Sequence, residues 1–251
     1  MGLCASSNKK QIINSRKGNS EIKKTKTMNN NFLYLRTSKT FRVCSLANTM
    51  LKEINYSAKR VKKYFMNQPA YTESNSNEKF IDPYFPPNFN SIIGKNSKGE
   101  FTDLHSDRVK EALDSFKITE NEIEWYRAEE IFGGKENYAL FEGKVEFDDV
   151  RQGSIGNCYF MASLSALTEV PEVIFNIFRH LEVQESGYYE VCFKIDGEWN
   201  VIIVDDYFPC SKTTKKPLFA NPNNNEIWPL ILEKAWAKAN GGYMYTVSGI
   251  A

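Results

Sequence analysis

The 251 residues are 41% apolar and 14% aromatic, a composition that makes one sizeable packed core or two small ones feasible. No run approaches roughly 18 consecutive apolar residues, so no membrane-crossing helix is expected, and the N-terminus lacks the charged start and apolar run of a secretory signal. The net charge of +1 hides a division: residues 1–80 hold 16 Lys/Arg against 4 Asp/Glu and the remainder 16 against 27, a basic arm joined to an acidic body. Five cysteines (Cys4, Cys44, Cys158, Cys192 and Cys210), odd in number and without paired zinc-type spacing, point to free thiols in a reducing, cytoplasmic compartment. Nothing in the pattern calls for a nucleic-acid partner.

The basic arm spans residues 1–79. Its opening, "MGLCASSNKK", fits the N-myristoylation pattern on Gly2 with Ser6 at the required place, and Cys4 is placed for palmitoylation. A single myristoyl chain binds membranes only marginally, so firm anchoring takes a second signal. Cys4 supplies one, and the basic run through Lys9, Lys10, Arg16, Lys17, Lys23, Lys24 and Lys26 supplies another by attraction to an anionic leaflet. Residues 18–48, rich in Asn, Ser, Thr and Lys with little periodicity, read as largely disordered. From Leu51 the spacing changes. Leu51, Ile54, Ala58, Val61 and Phe65 share one helical face across about residues 50–66, with Lys52, Lys59, Arg60, Lys62 and Lys63 around the rest. Such a helix suits either a membrane surface or the acidic body, and the sequence does not separate the two.

The body runs over residues 80–251. Pro83, Pro86 and Pro87 in "FIDPYFPPNFNSII" predict an extended, surface-packed segment and no helix. "SDRVKEALDSFKITENEIEWYRAEEIF" carries helical spacing in parts, through Val109, Leu113 and Phe116 and again through Ile123 and Tyr126 or Arg127, stopped by Gly133 and Gly134. "NYALFEGKVEFDDVRQG" reads as strand or turn. Tyr159 to Leu167 is almost unbrokenly apolar, a helix buried on most sides, with Asn157 as its N-cap and Cys158 on its first turn. Pro171 opens a second helix. "GYYEVCFKI" and "EWNVIIVDDYF" predict a hairpin about Asp196–Gly197, "KTTKKPLFANPNNNE" a loop, and "IWPLILEKAWAKAN" a helix closed by Gly241 and Gly242. The order of elements is α+β.

"QGSIGNCYFMASLSAL", residues 152–167, carries the chemistry. A lone cysteine at a helix start is more often a structural thiol, but the helix dipole and free N–H groups there also favour a thiolate. Acyl transfer needs hydrogen-bond donors for the developing oxyanion, and the Gln152 side-chain amide and the Cys158 backbone N–H are candidates. Gly153 and Gly156 let the connecting loop bend and a substrate backbone approach.

These residues resemble the active-site cysteine motif of the calpain family, calcium-dependent papain-like cysteine proteases. "FIDPYFPPNFNSII" looks like the start of the calpain core, "GEWNVIIVDDYFP" like its central hairpin and "EIWPLILEKAWAKANGGY…SG" like the helix that follows, in the same order over about residues 80–251. The resemblance implies a papain-like fold whose first, cysteine-bearing and mostly helical subdomain is present here. It also implies that Cys158 is the nucleophile and Gln152 the oxyanion-hole glutamine, with protein substrates. Calcium is implied as a cofactor, with side-chain ligands at Asp149 and Glu226 and backbone carbonyl donors at Phe141 and Gly143. Oxygen ligands of this kind suit a hard cation.

One requirement of the family is not met within these residues. A cysteine protease needs a general base and a group to orient it, and papain-like proteases place the His and Asn about 130–150 residues after the Cys. The sequence holds two histidines, His105 before the motif and His180 only 22 residues after Cys158, and it stops 93 residues after Cys158. The expectation is therefore the nucleophile-bearing part of a protease without the second subdomain that carries the base. The alternative is a membrane-anchored, non-catalytic module that binds calcium or a partner. His180 as an unorthodox base is a third reading, and a polar residue closing a helix is its plainer role.

Overall fold

The structure, a computed structural model, describes residues 78–95, 100–103, 105–116, 119–152, 156–223 and 225–246. The acylation signal at Gly2 and Cys4, the basic run and the amphipathic segment at 50–66 lie outside the described residues, as does Gly153.

The helices are α1 (Phe89–Ile93), α2 (Asp107–Phe116), α3 (Ala128–Phe132), α4 (Cys158–Leu167), α5 (Pro171–Ile177) and α6 (Trp228–Ala239). The strands are β1 (Ile123–Arg127), β2 (Val150–Gln152), β3 (Tyr188–Ile195), β4 (Glu198–Asp205), β5 (Tyr207–Ser211) and β6 (Ala220–Pro222). Among the described residues they form three antiparallel pairs, β1 with β5, β2 with β6 and β3 with β4. The α+β class stands.

The organising element is α6. Pro229 sits in its first turn, where a missing N–H costs nothing, and Gly241 follows its end at φ 92°. Trp228, Leu230, Ile231, Leu232 and Ala235 are all buried, and the helix packs against β3, β4 and β6. Around it gathers a core of Leu164, Ile174, Phe178, Val191 and Val204, with Phe141 edge-on to Phe175 and Phe178 at 5.0 and 5.1 Å. A second cluster joins Phe85, Ile92, Ile93 and Val109 to Phe219 and Tyr243, whose rings stack at 4.5 Å. It is closed where two glycines meet. A Cβ on Gly242 would stand 2.4 Å from Gly94 Cα, so only glycine lets the end of α1 lie on the turn after α6.

A buried ionic network ties residues 80–85 to this frame. Lys234 pairs with Asp205, Lys238 with Asp82 at 2.6 Å, and Arg127 with Asp206. Asp82 N–H donates to Asp205 at 2.7 Å, while the Asp82 carboxylate accepts from the N–H groups of Tyr84 and Phe85.

The β3–β4 hairpin forms as the sequence predicts. Asp196 and Gly197 take φ 50° and 84°, the left-handed pair that a two-residue turn of matching twist requires, and Ile195 faces Glu198. Four local expectations are corrected. Ile123–Arg127 is a strand, not helix, because pairing with β5 outweighs a short helical spacing rich in residues that suit strands. Phe89–Ile93 is a helix despite the three prolines, since all of them precede it and the Asn88 side chain caps it by accepting from Asn90 N–H at 3.0 Å. The expected loop before α6 contains β6. Asn157 precedes α4 as expected, but its side chain makes no capping bond and turns into the core instead.

Candidate active site

The site begins at β2, whose last residue Gln152 lies opposite Ala220 of β6. Of Gln152 the backbone alone is among the described parts; its side chain is not. After the intervening loop, Cys158 is the first residue of α4 and is exposed. The other two described cysteines, Cys192 and Cys210, are buried, and burial pushes each thiol up to about 12. They are inert packing thiols, which leaves Cys158 as the accessible one among the described cysteines.

Neighbours on both sides of Cys158 hold the start of α4 onto α6. Asn157, fully buried, donates from Nδ2 to Glu233 Oε1 at 2.7 Å. The Tyr159 hydroxyl accepts from Trp236 Nε1 at 3.0 Å, and the Phe160 ring stacks on Trp236 with centroids 5.5 Å apart. Three anchored residues thus bracket one exposed thiol. Glu233 also accepts from Ala220 N–H at 2.7 Å, and burial raises its carboxyl to about 7 in opposition to these two bonds.

Neither histidine takes part in the bonds that hold the neighbours of Cys158. His105 is exposed, and its backbone N–H donates to Asp103 at 3.0 Å. His180 follows α5, where desolvation and then the charge of Arg179 hold its imidazole below the ordinary value. Among the described residues no hydrogen bond joins either imidazole to Cys158.

The expected calcium ligands divide similarly. Asp149 and Glu226, distant in sequence, come together, each about 1% exposed. Glu226 accepts from Glu142 N–H and, at 3.2 Å, from Trp228 Nε1; Asp149 accepts from Glu146 N–H at 2.7 Å. Burial, and then the adjacent Asp149 carboxyl that shares a hydrogen bond with it, raise Glu226 to about 7. Phe141 and Gly143 flank Glu142, whose N–H meets Glu226: the Phe141 ring packs in the core, and Gly143 takes φ 74°. Among the described residues no group of three or more His, Cys, Asp or Glu side chains is gathered for a metal. A cation held by this carboxyl pair would draw its remaining ligands from other oxygens, such as backbone carbonyls or water. Two buried carboxyls forced together, with only oxygen donors, fit a hard divalent cation.

Sequence reasoning missed Glu233 and its bond to Ala220, and gave Asn157 the role of a cap. The signal was there: a Glu–Lys pair inside the apolar run "LILEKAWA", which buries two charged groups if the helix is buried on most sides.

The profile of the calpain family cysteine protease domain matches residues 80–251. The calpain-type cysteine protease DEK1 of Arabidopsis thaliana is 33% identical over 177 residues, 69% of this chain and 7% of that protein. The calpain-type cysteine protease ADL1 of Oryza sativa is 34% identical over 176 residues, again 7% of its length. Calpain-A of Drosophila melanogaster is 29% identical over 210 residues, 80% of this chain and 24% of the fly protein. The chain thus spans less than a tenth of the plant relatives and about a quarter of the fly one. Through residues 80–251 it belongs to the calpain family of cysteine proteases.

Proposed function

We propose that residues 80–251 are the nucleophile-bearing part of a calcium-dependent endopeptidase that cleaves intracellular proteins. The observation that carries this reading is Cys158, exposed on the first turn of α4 while the residues around it are pinned to α6. In this reading the Cys158 thiolate attacks a peptide carbonyl to give a tetrahedral adduct. The Gln152 amide and the Cys158 N–H stabilise its oxyanion, the amine leaves with a proton from the general acid, and water then hydrolyses the thioester. Calcium, when bound, supplies positive charge that relieves the repulsion between Asp149 and Glu226. Those two side chains and the carbonyls of Phe141 and Gly143 would hold it. The base and its orienting partner come from outside these 251 residues, from a second subdomain, because His105 and His180 are the only histidines here. The N-terminal arm, acylated at Gly2 and Cys4, carries the body to an anionic membrane on the cytoplasmic side.

The test is incubation of the purified 251-residue chain with calcium and a protein substrate, alone and together with a calpain second subdomain supplied as a separate polypeptide. The chain alone cleaves nothing, and the mixture cleaves in a Cys158-dependent way. Cleavage by the chain alone, or by a Cys158→Ala mixture, refutes the assignment. A second reading, a non-catalytic membrane-anchored module that binds calcium or a partner, draws support from the lack, among the described residues, of a hydrogen bond between either histidine and Cys158. It predicts calcium binding without cleavage in either arm.

A further inference from the structure

We propose that Glu233 is a positioning residue: its single carboxylate fixes both ends of the loop that connects Gln152 to Cys158. One oxygen accepts from the side chain of Asn157, the residue before Cys158, and the other from the backbone N–H of Ala220, the residue opposite Gln152 across β2 and β6, each at 2.7 Å. The separation of the Gln152 backbone from the Cys158 backbone is thereby set from one point on α6. Packing alone asks for no carboxylate here. The neighbouring buried positions Leu230, Ile231, Leu232 and Ala235 are apolar, and an isolated buried carboxylate is costly unless its hydrogen bonds are made. Both bonds that this group makes serve the two flanks of one loop. A leucine of similar size removes both acceptors, whereas a glutamine can keep both partners, its oxygen accepting from Ala220 N–H and its NH₂ donating to Asn157 Oδ1, which has no other partner among the described residues. The proposal rests on Cys158 and Gln152 forming the catalytic pair, and Glu233 acts on them only through Asn157 and Ala220.

The experiment measures alkylation of Cys158 by iodoacetamide in the full chain across pH, resolved by peptide mass spectrometry, with buried Cys192 and Cys210 as internal reporters of the fold. The variants are Glu233→Leu, Asn157→Ala and the double variant. Released from Asn157, the first turn of α4 stabilises the thiolate less, so Glu233→Leu moves the rate–pH profile of Cys158 upward and slows labelling at neutral pH about two- to fivefold. Asn157→Ala does the same, and the double variant matches Glu233→Leu alone, because the Asn157 bond is one of the two that Glu233→Leu already removes. Labelling of Cys158 unchanged in Glu233→Leu, or effects that multiply in the double variant, overturns the proposal. If Glu233→Leu exposes Cys192 and Cys210, Asn157→Ala, which leaves the Ala220 bond in place, carries the test: slowed labelling of Cys158 supports the proposal and unchanged labelling overturns it. A wild-type Cys158 no more reactive than glutathione counts against the nucleophile reading. A reactive Cys158 indifferent to Glu233 and Asn157 counts against the positioning role alone.

Discussion

Substituting Lys234 by Met tests whether the buried ionic network fixes residues 80–85 to the body. Lys234 and Asp205 have fully buried side chains. Lys234 donates to the Asp205 carboxylate and, at 2.7 Å, to Tyr207 C=O; Asp205 also accepts from Asp82 N–H at 2.7 Å and Tyr207 N–H at 2.9 Å. Removing the ammonium alone leaves a buried carboxylate facing two amide donors and an orphaned carbonyl. Breaking a buried pair from one side costs about 3–5 kcal/mol, and the two surviving N–H bonds put this case near about 3. For a chain of this size that lowers the melting temperature by roughly 6–12 °C. Met fills the space of the Lys stem, so little of the loss comes from a cavity. Asp205→Asn from the other side leaves the Lys234 charge buried and costs a similar amount. The double variant Lys234→Met/Asp205→Asn costs clearly less than the two single losses together, since neither charge is then stranded. Urea unfolding followed by tryptophan fluorescence measures all three. A Lys234→Met variant within about 1 kcal/mol of wild type, or strictly additive losses, would refute the reasoning.

Calcium binding followed by isothermal titration should weaken in Asp149→Ala and in Glu226→Ala; affinity unchanged in both would remove these residues from the ligand set. Gly2→Ala should release the chain from acidic vesicles after co-translational myristoylation, and undiminished binding would rule out the acyl anchor. The pH dependence of stability should carry a mark of Glu233. Its folded-state value, about 7, lies above the unfolded carboxyl value, so the folded form holds a proton that the unfolded chain has released between about pH 4.5 and 7. The increment is therefore fully present below about pH 4.5 and lost as pH rises through 7, on the order of 3 kcal/mol for so buried a group. The wild-type-minus-Glu233→Gln difference in unfolding free energy, measured across that window, isolates it; a flat difference contradicts the shift.

Much of this protein was legible residue by residue. The helix from Cys158 to Leu167, the turn at Asp196–Gly197 and the stop at Gly241 follow from local spacing and from backbone conformations that few residues adopt. The ordered motifs from Phe80 onward carried the family, because a nucleophile, an oxyanion donor and a glycine loop at fixed separation are a local pattern. What the spacing misread is equally specific. Ile123–Arg127 has helical periodicity but became a strand because β5, some eighty residues later, offers it a hydrogen-bonding partner. Asn157 has the chemistry of a cap, yet Glu233 on α6 draws its amide inward. Asp149 and Glu226 acquire their mutual repulsion, and Lys234 and Asp205 their mutual need, only when the fold removes water from between them. Sequence alone determined what depends on neighbours along the chain: turns, helix ends, the charge division and the order of motifs. Tertiary structure decided which distant polar groups share a dry interior, because desolvation and strand pairing depend on which segments meet in space.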